Sequence, residues 1–299
     1  MMPPAARAAQ AFELCASGRE DEMTGRGGRT AIADAHRGVS LWRWCIGGCL
    51  LAGTLFLTFP EIDLWVSRAA YSASAGFIGH RYDWIKWLRH AFVVFYWACI
   101  VASVVGLAAA FRGKPTLAGM DPRKWLFLVL CLSIGPGLLA NLVFKDQWGR
   151  ARPKHVAEFG GSKRFTPAPL PADQCRRRCS FVSGEASSAF VPFYAAAAVV
   201  PQWGASLIAA GTVAGLVAGS VRIAQGAHFL SDVVFAGLLM ALTVLVLRHL
   251  IHAPAGSAAQ HGEWIRRKNQ PAAPGAPGGL NARSGSSGQW PAEATRDRS

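Results

Sequence analysis

Residues 91–111 read AFVVFYWACIVASVVGLAAAF, 21 positions without one charged side chain. At about 1.5 Å of rise per residue, this run makes a helix roughly 32 Å long, enough to cross a bilayer core of about 30 Å. In lipid each backbone N–H and C=O must be satisfied within the segment, and a helix does that. Working outward, five further apolar runs occupy 41–59, 124–144, 184–200, 204–221 and 232–250. They predict an all-α, polytopic membrane protein with six transmembrane helices.

The composition agrees. Of 299 residues, 52% are hydrophobic and 16% charged, where soluble domains carry about 25% charged. The net charge of +14 raises the question of a nucleic-acid partner. Many of the basic residues flank apolar runs instead of forming one soluble face, so nucleic acid is not expected. Residues 1–39 show no apolar period and no signal-peptide core, and residues 253–299 are rich in Pro, Gly, Ala and Ser. Both read as disordered cytoplasmic tails around a six-span domain at 40–252. The row Gly204, Gly211, Gly215 and Gly219 reads as close helix packing. Cys45, Cys49, Cys99 and Cys131 lie in apolar runs and read as small buried hydrophobes.

Six spans place both tails on one side. Arg37, Arg43, Arg112, Lys114, Arg123, Lys124 and Arg248 gather there, which assigns it to the cytoplasm. The opposite side then carries loops at 60–90, 145–183 and 222–231. In the first, Tyr82, Trp84, Ile85, Trp87 and Leu88 form an amphipathic, interfacial stretch. The second holds nine Lys and Arg against Asp146, Glu158 and Asp173. Cations on the side that the positive-inside bias leaves poor in charge point to an anionic ligand.

Three segments stand at the outer ends of spans three to six. They are Lys145-Asp-Gln-Trp-Gly-Arg-Ala-Arg152-Pro153, Phe181-Val-Ser183-Gly184-Glu185-Ala-Ser187, and Arg222-Ile-Ala-Gln-Gly-Ala-His228-Phe-Leu-Ser-Asp232. Lys145, Arg152 and Arg222 bring three cations to one face, and guanidinium forks match phosphate oxygens. Ser183-Gly184 opens a helix whose first N–H groups are free for an anion. His228 and Asp232 are four apart, the spacing that lets a carboxylate hold one imidazole nitrogen and free the other to attack. Taken singly, each has a plainer reading: a structural histidine, a helix cap, an interfacial anchor. The joint spacing on one face carries the reading.

These segments resemble the three-part signature of the type-2 phosphatidic acid phosphatase (PAP2) superfamily: Lys-x6-Arg-Pro, Pro-Ser-Gly-His and Ser-Arg-x5-His-x3-Asp. Lys145, Arg152 and Pro153 match the first part, and Arg222, His228 and Asp232 fall at the spacing of the third. The resemblance covers about 141–240. Two positions depart from it: Val221 stands where the family has Ser, and Glu185 where it has His.

The resemblance implies a helical core and a two-step phosphate hydrolysis with no cofactor and no metal. Lys145, Arg152, Arg222, Ser183 and Gly184 would bind the phosphate. His228, oriented by Asp232, would form a phosphohistidine. Glu185 would take the family histidine's part as general acid, provided burial keeps it protonated; His155 is another candidate acid. The partner is then a membrane lipid phosphate such as phosphatidic acid, phosphatidylglycerol phosphate, a polyprenyl diphosphate or lipid A. The cationic outer loop favours lipid A. A non-enzymatic lipid or anion transporter and a catalytically altered family member are the alternatives; oligomeric state is open. The expected setting is a bacterial inner membrane with the site facing the periplasm, where Cys175 and Cys179 are free to form a disulfide.

Overall fold

A computed structural model describes residues 40–113 and 120–252. Both expected tails lie outside the described residues. Among the described residues seven helices organise the fold: α1 (Ser40–Thr58), α2 (Glu61–Ala69), α3 (Asp83–Phe111), α4 (Pro122–Gln147), α5 (Gly184–Val199), α6 (Gly204–Ala224) and α7 (Leu230–His252). Among the described residues the only paired strands form a two-residue hairpin, Tyr71–Ser72 with Gly76–Phe77.

Five of the helices, α1, α3, α4, α6 and α7, are long and apolar enough to cross a membrane. The chain is a multi-pass membrane protein. Leu51, Val94, Val101, Phe111, Val213 and Leu250 are exposed, an apolar outer surface that a bilayer satisfies and water does not.

Two expectations change. The second span begins at Asp83, eight residues before the apolar run, because Trp84 and Trp87 continue the helix as exposed aromatics of the interfacial kind. The fourth expected span is the 16-residue helix α5, followed by a 3₁₀ turn at Pro201–Trp203. At 1.5 Å per residue it reaches roughly 24 Å, short of a full crossing. Its place in the fold explains this. α5 packs against α3, α4, α6 and α7, and Ala186, Ala189, Phe190, Val191 and Ala195 are buried on it. It is the central rod, and the longer helices face lipid around it.

Three of the four glycines serve close packing. A Cβ at Gly211 would meet Phe193, at Gly215 the Phe190 ring, and at Gly219 the Val233 side chain, each closer than 3 Å. α6 therefore lies against α5 and α7 at a separation that no larger residue permits. Gly204 has only ordinary contact with Ala197.

α4 changes character halfway. Pro136 removes an N–H, and Ser133–Phe144 winds with the wider π-helical turn. Asn141 Nδ2 donates to the Pro136 carbonyl at 2.6 Å. The wider turn leaves Asn141 and Lys145 one above the other, facing the first turn of α5.

At the same end of the bundle the loops are tied together. Phe77, Tyr71 and Phe159 form an aromatic triad with ring centroids 5.1–5.4 Å apart. Gly149, at φ +69°, turns the chain so tightly against the Ala172 carbonyl that a side chain has no room. Cys175 and Cys179 are joined by a disulfide.

Candidate active site

The segment after α6 turns at Gly226, whose positive φ and contact with the Phe77 ring require glycine. Two residues later comes His228, fully buried. Its Nδ1 lies 2.7 Å from the Ser180 carbonyl. That acceptor assigns the proton to Nδ1 and leaves Nε2 with its lone pair free. Nε2 has no hydrogen-bond partner and lies 3.9 Å from Glu185 Oε2. Burial holds the imidazole below its ordinary proton affinity, and Lys145 adds to this; Asp232 and Glu185 oppose it.

The sequence pointed to a direct bond between Asp232 and His228. The structure differs: Asp232 Oδ2 is 3.7 Å from Nδ1, beyond a hydrogen bond. The carboxylate is engaged elsewhere. It accepts from Arg150 Nη1 at 2.6 Å, from the Phe229 amide at 2.8 Å and from the Ser180 hydroxyl. Asp232 therefore orients Ser180 and the turn at Phe229, and Ser180 orients the imidazole. Its charge still stands close enough to stabilise an imidazolium.

Behind Asp232 lies a group that sequence reasoning missed. Arg150 is wholly buried, donates from Nη2 to Asp63 at 2.7 Å and from Nε to the Thr166 carbonyl at 2.8 Å. Its guanidinium sits 4.3 Å from the centre of the Phe229 ring. Asp63, on α2, also accepts from the Ser231 amide at 2.8 Å and from its hydroxyl. Asp63, Arg150 and Asp232 thus form one desolvated anion–cation–anion chain beneath the histidine. Two residues before Arg152, Arg150 passes in sequence as one more loop cation.

The expected cations gather around Glu185, whose Oε2 faces Nε2. Arg222, on the last turn of α6, has Nε 3.5 Å from Glu185 Oε1 without a hydrogen bond, while its Nη1 donates to Gln225. Lys145 Nζ donates to Asn141 at 3.0 Å. A Cβ at position 184 would lie 2.7 Å from Asn141 Oδ1 and 3.2 Å from Lys145 Nζ, so Gly184 admits them. Ser183 caps α5, its hydroxyl accepting from the Ala186 amide, and the first intrahelical amide bond is Ser187 to Ser183. The amides of Gly184 and Glu185 therefore precede the helix's own ladder. Arg152 is anchored by Nε donating to the Arg178 carbonyl at 2.9 Å and lies in the field of Glu185 and Asp232. Val221 is buried and Ser220 exposed, so Ser220 does not replace the family's Ser.

Glu185 is not in the apolar surroundings that its expected role assumed. Its Oε1 also accepts from Arg89 of α3, at 3.1 Å from Nη2. Arg89, Arg222 and the Nε2 of His228 all face this one carboxylate. Glu185 is the anion that these groups surround. Beside it, a cavity of about 270 Å³ runs from Lys145, Gly184 and Glu185 to Phe92, Tyr96 and Trp97. It joins a charged end to an aromatic one, as an amphiphile requires.

The pattern of the PAP2 superfamily matches residues 125–255. The Lipid A 4'-phosphatase of Francisella tularensis subsp. novicida is 37% identical over 215 residues, which cover 68% of this chain and 92% of that protein. The Lipid A 4'-phosphatase of Rhizobium leguminosarum is 32% identical over 66% of this chain and 88% of its own length. That of Rhizobium etli is 31% identical over 64% and 78%. No solved structure matches the chain.

Proposed function

The chain belongs to the PAP2 superfamily and is a membrane lipid phosphatase, and from that premise we propose that it hydrolyses a phosphate ester of lipid A through a phosphohistidine on His228. One observation carries the mechanism: a buried imidazole whose Nδ1 is held by the Ser180 carbonyl and whose Nε2 has no hydrogen bond and faces Glu185 and the cations around it, a ring of Arg89, Arg222 and Lys145.

Phosphate oxygens entering that ring would be held by Arg222, Lys145 and Arg152, with the amides of Gly184 and Glu185 at the helix end. Nε2 attacks phosphorus, the bond to the lipid oxygen breaks, and a phosphohistidine results. The charge of Asp232 stabilises the imidazolium character of that adduct, and Arg150 keeps Asp232 in place. The cations offset the charge on the phosphoryl oxygens without having to reorganise. Water then releases inorganic phosphate.

The incoming phosphate displaces Glu185 as the anion in the ring. Two anions side by side share a proton better than they tolerate two full charges. In that state Glu185 is placed to protonate the departing alkoxide. The ion pair with Arg89 supports a second part for it, holding the cations in position between turnovers.

The names of the three relatives and the cationic loop at 145–183 support lipid A as substrate. The Cys175–Cys179 bridge supports a site on the oxidising side of a bacterial inner membrane. The test is phosphate release by purified protein in detergent with EDTA present. Lipid A, phosphatidic acid, phosphatidylglycerol phosphate and a polyprenyl diphosphate are compared. Preference for lipid A supports the reading, and a preference of tenfold or more for another lipid overturns the substrate assignment.

A further inference from the structure

A second cavity, of about 620 Å³, lies on the outer loops and is not used by the mechanism above. It sits between the 3₁₀ turn Pro153–His155, residues 161–163 and residues 173–176. Lys154, His155, Lys163 and Arg176 line it, against the single carboxylate Asp173. Asp173 is already engaged, accepting from Gln174.

The cations stand on a built frame. The Lys163 amide donates to the His155 carbonyl and the Ala157 amide to the Lys163 carbonyl, both at 2.9 Å. Gly161 lies so close to His155 that a Cβ would come within 2.1 Å of its backbone. Arg176 lies inside the Cys175–Cys179 loop. Burial first, then Lys154, Arg152 and Lys163, push His155 below its ordinary proton affinity. Lys154, Lys163 and Arg176 thus face one carboxylate, and positive charge is in excess here.

The frame is joined to the catalytic cradle. The turn begins directly after Arg152, and the Lys154 amide donates at 3.0 Å to the carbonyl of Gly226, two residues before His228. One head group that places a phosphate before His228 would reach this pocket with another part of itself.

We propose that this pocket is a second anion site, which binds a phosphate or carboxylate group carried by the same lipid head group whose phosphate is cleaved. It rests on the lipid A reading and adds a basis for choosing among its forms. The cations are exposed, so screening limits each pair to at most about a fivefold gain in affinity. Three of them, after ordering costs, give on the order of tenfold.

The experiment compares lipid A bearing two phosphates with lipid A bearing only the one that is cleaved. Kd is measured on full-length protein in nanodiscs and KM on the same preparation. Wild type should bind the doubly phosphorylated lipid about tenfold more tightly, with similar kcat. In Lys154→Gln/Lys163→Gln/Arg176→Gln that advantage should vanish, while turnover of the singly phosphorylated lipid stays at the wild-type rate and so reports an intact fold. An advantage that persists in the variant overturns the proposal, and so does an equal loss with both lipids. Inorganic phosphate separates the sources of the anion: millimolar phosphate that abolishes the wild-type advantage supports a shared site. Equal wild-type affinity for both lipids, with phosphate binding lost in the variant, means that the pocket takes free phosphate and overturns the head-group assignment. Failure of wild type to hydrolyse either lipid defeats the lipid A reading instead, and the Kd ratio still decides the second site.

Discussion

Replacing Arg150 with Met tests the buried chain beneath the histidine. Arg150 holds Asp63 at 2.7 Å and Asp232 at 2.6 Å, and all three side chains are shut off from solvent. Its removal leaves two carboxylates facing each other with no cation, and breaking a buried pair in this way costs about 3–5 kcal/mol. Asp63→Asn leaves Arg150 bound to Asp232 but sets an amide donor against either the guanidinium or the Ser231 amide, at a cost of about 3 kcal/mol on the same scale. In the double variant the repulsion is gone, and Asp232 keeps the Ser180 hydroxyl and the Phe229 amide. The double variant should then be no less stable than Arg150→Met alone, a coupling of about 3 kcal/mol. Unfolding by SDS titration in mixed micelles measures it. Turnover adds an independent reading: since none of these residues is expected to touch the lipid, Asp63→Asn should lower kcat with little change in KM. Additivity within about 0.5 kcal/mol, or a loss confined to KM, would refute the chain as the support of Asp232.

Three further outcomes follow from the same geometry. His228 attacks as the neutral imidazole, and burial holds its proton affinity below the ordinary value of 6.5. The sign is that lowering pH inactivates only once the lowered pKa is passed, so the acid limb of kcat/KM, corrected for ionisation of the substrate phosphate, should fall below 6.5; a limb at 7 contradicts this. Glu185→Gln should slow release of a basic alkoxide by about a hundredfold or more and that of a nitrophenolate much less, whereas equal small losses would reduce Glu185 to a counterion for Arg89 and Arg222. With the other cysteines replaced, Cys175 and Cys179 should resist maleimide on intact cells until a reductant is added, and full labelling beforehand would refute the bridge.

Five of the six expected spans and the three motif segments were legible because hydropathy and fixed spacing leave marks in a single sequence. Lys145, Gly184, Glu185, Arg222 and His228 meet as their shared helix ends require. Asp63 and Arg150 were not legible: the pair is separated by 87 positions, and a buried arginine looks like any loop cation until its partners are seen. Arg89 hid for a related reason, lying in the polar stretch that hydropathy assigns to a loop although α3 begins at Asp83. Ser180 acts on the imidazole through its carbonyl, which every residue type possesses. The spacing of His228 and Asp232 suggested a direct bond that the geometry routes through Ser180, because Arg150 and the Phe229 amide draw the carboxylate toward themselves.

The central claim is that His228 forms the bond to phosphorus. Its most direct test is turnover of lipid A by purified His228→Ala protein whose SDS unfolding matches that of wild type, run beside wild type that is quenched in cold alkaline SDS during turnover of ³²P-labelled lipid. The account predicts no phosphate release by the variant, and in wild type an alkali-stable, acid-labile label on the peptide that contains His228. Near-normal turnover by His228→Ala, or a label on any other residue, would contradict it.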